Sequence, residues 1–102
     1  MPELVPVAKL SDLPAGSCKE LEHRGRLIAI FHVAGQIHAM DGICPHAGGP
    51  LAAGHIEGSI VTCPWHGWQF DLNTGCNVYN LRLKQITYEV RVEGDDILLA
   101  LP

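Results

Sequence analysis

The chain has 102 residues, enough to bury one hydrophobic core and too few for two domains. An apolar content of 47% with 18% charged residues excludes a disordered polymer, and the longest apolar run, Leu27 to Phe31, is far below the roughly 20 residues that cross a bilayer. Seven Lys and Arg against eleven Asp and Glu, a formal charge of −4, disfavour nucleic acid, whose binding needs a concentrated basic surface. Neither nucleic acid nor membrane is therefore expected as a partner. Met1 to Leu10 carries Pro2, Glu3 and Pro6 and lacks the continuous apolar stretch of a secretory signal. A cytosolic location is expected, and in that compartment the four cysteines do not read as two disulfides.

In chain order, Leu10 to Leu13 predicts a brief helical turn closed by Pro14. Leu27 to Val33 is apolar and β-branched, and Ala34-Gly35-Gln36 turns it into a second strand over Ile37 to Met40. Ile56 and the run from Ser59 to Thr62 flank a Glu57-Gly58 turn. Trp68, Phe70 and Leu72 alternate with Gln69 and Asp71 and stop at Asn73-Thr74-Gly75. Ile86, Tyr88, Val90 and Val92 alternate with Thr87, Glu89, Arg91 and Glu93, which predicts one half-buried strand. Gly94-Asp95-Asp96 then leads into Ile97 to Leu101 as a C-terminal hairpin. No segment sustains a helical period over three turns, so the fold class is all-β.

The chemistry lies in the middle. Cys44-Pro45-His46 is followed, after sixteen intervening residues, by Cys63-Pro64-Trp65-His66. Two soft thiolates and two neutral imidazoles suit one metal centre. The set matches a [2Fe–2S] cluster in which two histidines replace two cysteines on one iron. It also matches the donor atoms of a Cys2His2 zinc site. Zinc pairs usually leave two to four residues between ligands, whereas one separates Cys44 from His46. Residues of about 42 to 75, rich in Cys, His, Pro, Gly and Trp, read as a cluster-binding subdomain inserted into a β scaffold built from both ends of a single domain, 1–102.

The two pairs, with Gly48-Gly49-Pro50-Leu51 after the first and Gly67-Trp68-Gln69-Phe70-Asp71 after the second, resemble the Rieske family, whose signature is C-x-H followed by C-x2-H. The resemblance extends through Asn73-Thr74-Gly75 and covers essentially the whole chain. It implies small antiparallel sheets, sandwich- or barrel-like, carrying a two-loop cluster subdomain. It implies one [2Fe–2S] cluster, with Cys44 and Cys63 on one iron and His46 and His66, through Nδ1, on the other. Neutral imidazoles in place of thiolates make such a centre easier to reduce, at about −150 to +300 mV against about −400 mV for plant-type ferredoxins.

Where Rieske proteins of respiratory complexes carry a disulfide between the loops, this chain has Gly49 and Trp65. Where those proteins place hydroxyls near the cluster, it has Trp68 and Phe70. A low potential is the expectation. His23, His32, His38 and His55, and likewise Cys18 and Cys76, fall outside the motif and are expected to take no part in metal binding. The family often has a proline-containing loop after the position of Gly75, but residues 76–83 contain no proline. Asn77 to Asn80 is a candidate partner contact.

Within the family, a Rieske domain without signal, membrane helix or catalytic domain resembles the ferredoxin component of a multicomponent oxygenase. That resemblance implies a non-enzymatic relay from an NAD(P)H-dependent flavoprotein reductase to a terminal oxygenase. The alternatives are the small Rieske subunit of NADH-dependent nitrite reductase, a structural zinc-binding interaction module, and a redox sensor. Nothing in the sequence demands an oligomer.

Overall fold

A computed structural model describes residues 3–43, 51, 54–64, 67–80 and 82–101. Among these, three antiparallel sheets account for nearly all regular structure. The first joins β1 (Glu3–Lys9) to β10 (Asp96–Leu101) and β10 to β9 (Val90–Glu93). The second has the order β2 (Cys18–His23), β3 (Arg26–Val33), β4 (Gln36–Asp41), β8 (Thr87–Tyr88). The third contains β5 (His55–Glu57), β6 (Ile60–Thr62) and β7 (Gln69–Asp71). The expected helical turn is a 3-10 turn over Leu10–Asp12.

The second sheet is the partition of the molecule. Successive side chains of a strand point to opposite faces, and β3 is apolar on both. Ile28 and Ile30 enter one core with Leu13, Ala39, Ile97, Leu99 and Leu101. Ala29 and Phe31 enter a second core with Met40, Leu51, Val61, Cys63, Phe70 and Leu72. The first core lies between the sheet of the chain ends and the central sheet. The second lies between the central sheet and the short strands β5 to β7. β10 shows the one-sided version of the pattern, with Ile97, Leu99 and Leu101 buried and their neighbours less so.

Turn chemistry sets the hairpins. Ala34 and Gly35 both take positive φ, 53° and 78°, the combination whose twist suits a two-residue hairpin. Arg24 and Gly25 do the same between β2 and β3 at 52° and 82°. Sequence reading did not single out that turn, because arginine is not a usual left-handed residue. Pro6 sits in β1, an edge strand, where its missing N–H costs no ladder bond, and a register shift follows it between Pro6 and Ala8.

One expected strand is corrected. Residues 86–93 do not form a continuous strand: β8 pairs with β4 in the central sheet, whereas β9 pairs with β10 in the first. Glu89 lies at the changeover, and its carbonyl accepts the Ala100 N–H at 3.0 Å. The chain changes sheets there, so Ile86 and Val92 remain exposed.

Candidate metal centre

Of the four motif ligands, Cys44, His46 and His66 lie outside the described residues, as do Gly48, Gly49, Pro50 and Trp65. Cys63 is described. It is 1% exposed and belongs to the second core, beside Val61, Phe70 and Leu51.

Both motif-bearing segments are rooted in that core. The first leaves the central sheet at Ile43 and re-enters described backbone at Leu51, which is fully buried. The Leu51 N–H donates to the Gly42 carbonyl at 2.8 Å, and the Gly42 N–H donates to Leu27 O at 2.8 Å, so the segment is closed on β3 at its base. The second segment is closed in the same manner. The Cys63 N–H donates to Trp68 O at 2.7 Å and the Gly67 N–H to Cys63 O at 3.2 Å, with Gly67 at a φ of +74°. The two bases touch at Gly54, where a Cβ would lie 2.3 Å from the carbonyl oxygen of Thr62, the residue before Cys63. Only glycine permits that approach.

A third segment braces the other side. The Asp71 N–H donates to Cys76 O at 2.9 Å, the Val78 N–H to Gln69 O at 2.9 Å, and the Gln85 N–H to Gly75 O at 2.7 Å. Asn77, expected as part of a partner contact, is instead 3% exposed. Its Oδ1 accepts the N–H groups of Tyr79 at 2.9 Å and Asn80 at 3.0 Å, the self-capping turn that asparagine favours. The remainder of that segment is exposed, Tyr79 at 78%, with its hydroxyl donating to Gln69 Oε1. Trp68 packs against the core with its ring 6.3 Å from that of fully buried Phe70.

The base of the first segment is also held by a polar network that the sequence did not reveal. Tyr88 Oη donates to Asp41 Oδ1 and accepts from Arg26 Nη1 at 3.0 Å. Burial pushes the Tyr88 hydroxyl above its ordinary pKa, and the bond to Asp41 adds to the rise. The Tyr88 hydroxyl therefore stays protonated at neutral pH.

His32 Nδ1 lies 2.7 Å from Leu13 O, His55 is exposed beside Glu57, and the Cys18 thiol is pushed up in pKa by burial. His38 is half-buried on β4, and desolvation lowers its pKa despite opposing effects of Asp71 and the Leu72 carbonyl. Among the described residues no three His, Cys, Asp or Glu side chains converge on one point.

The described backbone brings the bases of the two motif segments together on one apolar core. One thiol is fixed at the floor of an apolar core, and the backbone entering and leaving each motif is pinned to that core at short range. Among the described residues, no helix is long and apolar enough to cross a membrane.

Known proteins agree with this geometry. The family model described as the Rieske [2Fe-2S] domain matches residues 3–99. Over 98 residues the chain is 33% identical to the ferredoxin component of the naphthalene 1,2-dioxygenase/salicylate 5-hydroxylase systems of Ralstonia sp, with 95% of this chain and 94% of that protein covered. The ferredoxin of carbazole 1,9a-dioxygenase from Nocardioides aromaticivorans IC177 superposes with a TM-score of 0.88 at 28% identity, covering 97% and 98% of the two chains. A ferredoxin–oxygenase complex of carbazole 1,9a-dioxygenase contains a chain matching at a TM-score of 0.87 and 25% identity, with 95% and 92% covered.

Proposed function

This chain belongs to the Rieske [2Fe-2S] domain family, and we propose that it serves as the one-electron carrier of an oxygenase system, passing electrons from a flavoprotein reductase to a terminal oxygenase. The observation that carries this reading is similarity to oxygenase ferredoxin components over nearly the full length of both chains. A relative of the same fold has its structure in complex with its oxygenase. We read 1–102 as one unit, with residues of about 42–75 as its cluster-bearing part.

When bound, a [2Fe–2S] cluster supplies a centre that takes up and gives back one electron at a time. Cys44 and Cys63 would hold one iron and His46 and His66 the other. Phe31, Met40, Leu51 and Phe70 form a dry floor beneath Cys63, which excludes water from that side. The net charge of −4 favours docking against a basic partner face.

The chain's own donors favour a low potential. The Cys63 and Gly67 N–H groups are both committed to backbone carbonyls, and Trp68 and Phe70 bring no hydroxyl. Fewer hydrogen bonds to sulfur leave an added electron less stabilised. The test is direct. Anaerobically purified protein should be reddish-brown, contain iron and acid-labile sulfide, and bleach with dithionite. Its midpoint should lie towards the low end of the Rieske range, about −150 mV. The reduced protein should be reoxidised on mixing with a ring-hydroxylating terminal oxygenase. A colourless zinc protein, or a reduced protein that no such oxygenase reoxidises, would overturn the reading.

A further inference from the structure

Gln85 places a polar side chain in the interior, 4% exposed, at the seam between the central sheet and the cluster-bearing lobe. Its Nε2 donates to the carbonyls of Asp41 at 2.8 Å and Ile43 at 2.7 Å, so both hydrogens of one amide are used on acceptors two residues apart. Its own backbone is equally fixed. The Gln85 N–H donates to Gly75 O at 2.7 Å, and a Cβ on Gly75 would lie 2.6 Å from the Gln85 carbonyl oxygen. Gly75, at a φ of +80°, is thus the seat on which Gln85 rests. The residue spans from the turn after β7 to the end of β4, and the Ile43 carbonyl belongs to the peptide unit that joins Cys44.

We propose that Gln85 is a positioning residue of the metal centre, holding the peptide that enters Cys44 in a fixed place relative to the segment that carries Cys63. The proposal rests on the reading of Cys44 as a ligand. The chemistry of the position is restrictive. Two neighbouring carbonyls aimed at one buried point need two hydrogens, and a neutral primary amide supplies both without burying a charge. Lysine would bring a charge into the interior, and an apolar side chain would leave both carbonyls unpaired until the peptide rotated towards another donor. Rotation there is transmitted to the first ligand without any change in the ligand itself. Outer partners of this kind typically alter metal retention by about 10- to 100-fold.

The experiment uses the holo-protein. Gln85→Met keeps the length and removes the donors, and Gln85→Glu sets an acceptor against the two carbonyls. Leu99→Ala, in the other core, is the control for loss of stability alone. Both Gln85 variants should release iron to excess chelator roughly 10-fold or more faster than the parent. They should also show altered EPR g values when reduced and altered visible circular dichroism when oxidised. Leu99→Ala should melt earlier with parental spectra.

Parental spectra and iron release in Gln85→Met would overturn the proposal. So would the same spectral changes in Leu99→Ala at matched thermal stability. Cys44→Ala, which has no donor atom, separates the two layers of the argument. Iron retained in that variant removes the ligand reading itself, whereas iron lost there with a silent Gln85→Met removes only the positioning role. If the Gln85 variants accumulate no holo-protein, NMR of the parent decides. The Gln85 side-chain amide should exchange slowly with iron bound and faster after chelation, while the Ile97 and Leu99 amides stay protected. Equal protection in both states would overturn the proposal.

Discussion

On one face of β3, Ile28 and Ile30 pack with Leu13, Ile97, Leu99 and Leu101, and the strands that carry this core are six to eight residues long. On the other face, Ala29 and Phe31 meet Leu51, Val61, Cys63 and Phe70, and the strands beyond them have three residues each. The first core is closed by ladders joining the two ends of the chain, β1 to β10, and its fully buried members among the described residues are aliphatic. The second contains the Cys63 thiol, which we propose as a ligand to iron. A three-residue strand forms few ladder bonds, so the second lobe is expected to depend on the close approaches at Gly54 and Gly75 and on a bound cluster to hold its shape. One sheet thus divides a lobe closed by long ladders from a lobe built on three-residue strands, whose order we expect to be coupled to a bound cluster.

The largest effect that tests this division comes from opposite substitutions on the two faces of β3. Cys63→Ser should abolish the visible spectrum and the bound iron, and hydrogen exchange should accelerate across β5 to β7 while β1, β9 and β10 stay protected. Leu99→Ala should do the reverse, costing about 2–5 kcal/mol of stability while leaving the spectrum of the folded protein unchanged. Cooperative collapse of both lobes in Cys63→Ser, at equal rates of exchange, would show that the partition is not energetic. His55→Ala and Cys18→Ala should leave the visible spectrum intact.

What could be read without the structure followed the locality of its cause. Ala34-Gly35, Glu57-Gly58 and Gly94-Asp95 announce their hairpins because turn chemistry resides in two or three adjacent residues. The four ligand candidates stand out because their types and spacing are rare together, and Phe70 was recognisable as a core residue by alternation. The break at Glu89 was not legible. Alternation reports that one side of a strand is buried but not which sheet it joins, and β8 and β9 keep one alternation while serving two sheets. β1 and β2 were obscured by Pro6 and by the charges of Lys19, Glu20 and Glu22 on an edge strand. Gln85 and Asn77 resembled surface residues because their partners, the carbonyls of Asp41 and Ile43 and the amides of Tyr79 and Asn80, are backbone groups that carry no mark in the sequence. The Asn77 turn had a local signal, an asparagine two residues before the N–H it caps, that could have been used.

A smaller effect probes the seam between the lobes. Tyr88→Phe removes the donor to Asp41 and the acceptor for Arg26 while keeping the ring. Loss of a hydrogen bond to a carboxylate at this half-buried position should cost about 1–2 kcal/mol, or roughly 5 °C in Tm for a domain of this size. Because Asp41 lies three residues before Cys44, iron release should quicken slightly, and by less than in Gln85→Met, whose bonds reach the adjacent peptide. Faster release in Tyr88→Phe than in Gln85→Met would move the control point from the buried amide to the surface network.

The smallest expected effect is on pH dependence and concerns His38, which joins β4 to the turn after β7. Burial lowers its folded pKa below the ordinary value of about 6.5, against the pull of the Asp71 carboxylate and the Leu72 carbonyl. Between the folded and unfolded pKa values the unfolded chain binds the proton and the folded chain does not, so stability rises with pH across that window. The contribution is complete above about pH 6.5 and is lost as pH falls through the folded value. His38→Gln should therefore flatten the fall in Tm between pH 7 and pH 5 relative to the parent. Taking the difference between the two proteins removes everything they share, the motif histidines included. An identical pH slope in both would mean that His38 is as hydrated in the folded protein as in the unfolded chain, and that the seam at β4 is wet where the second core is dry.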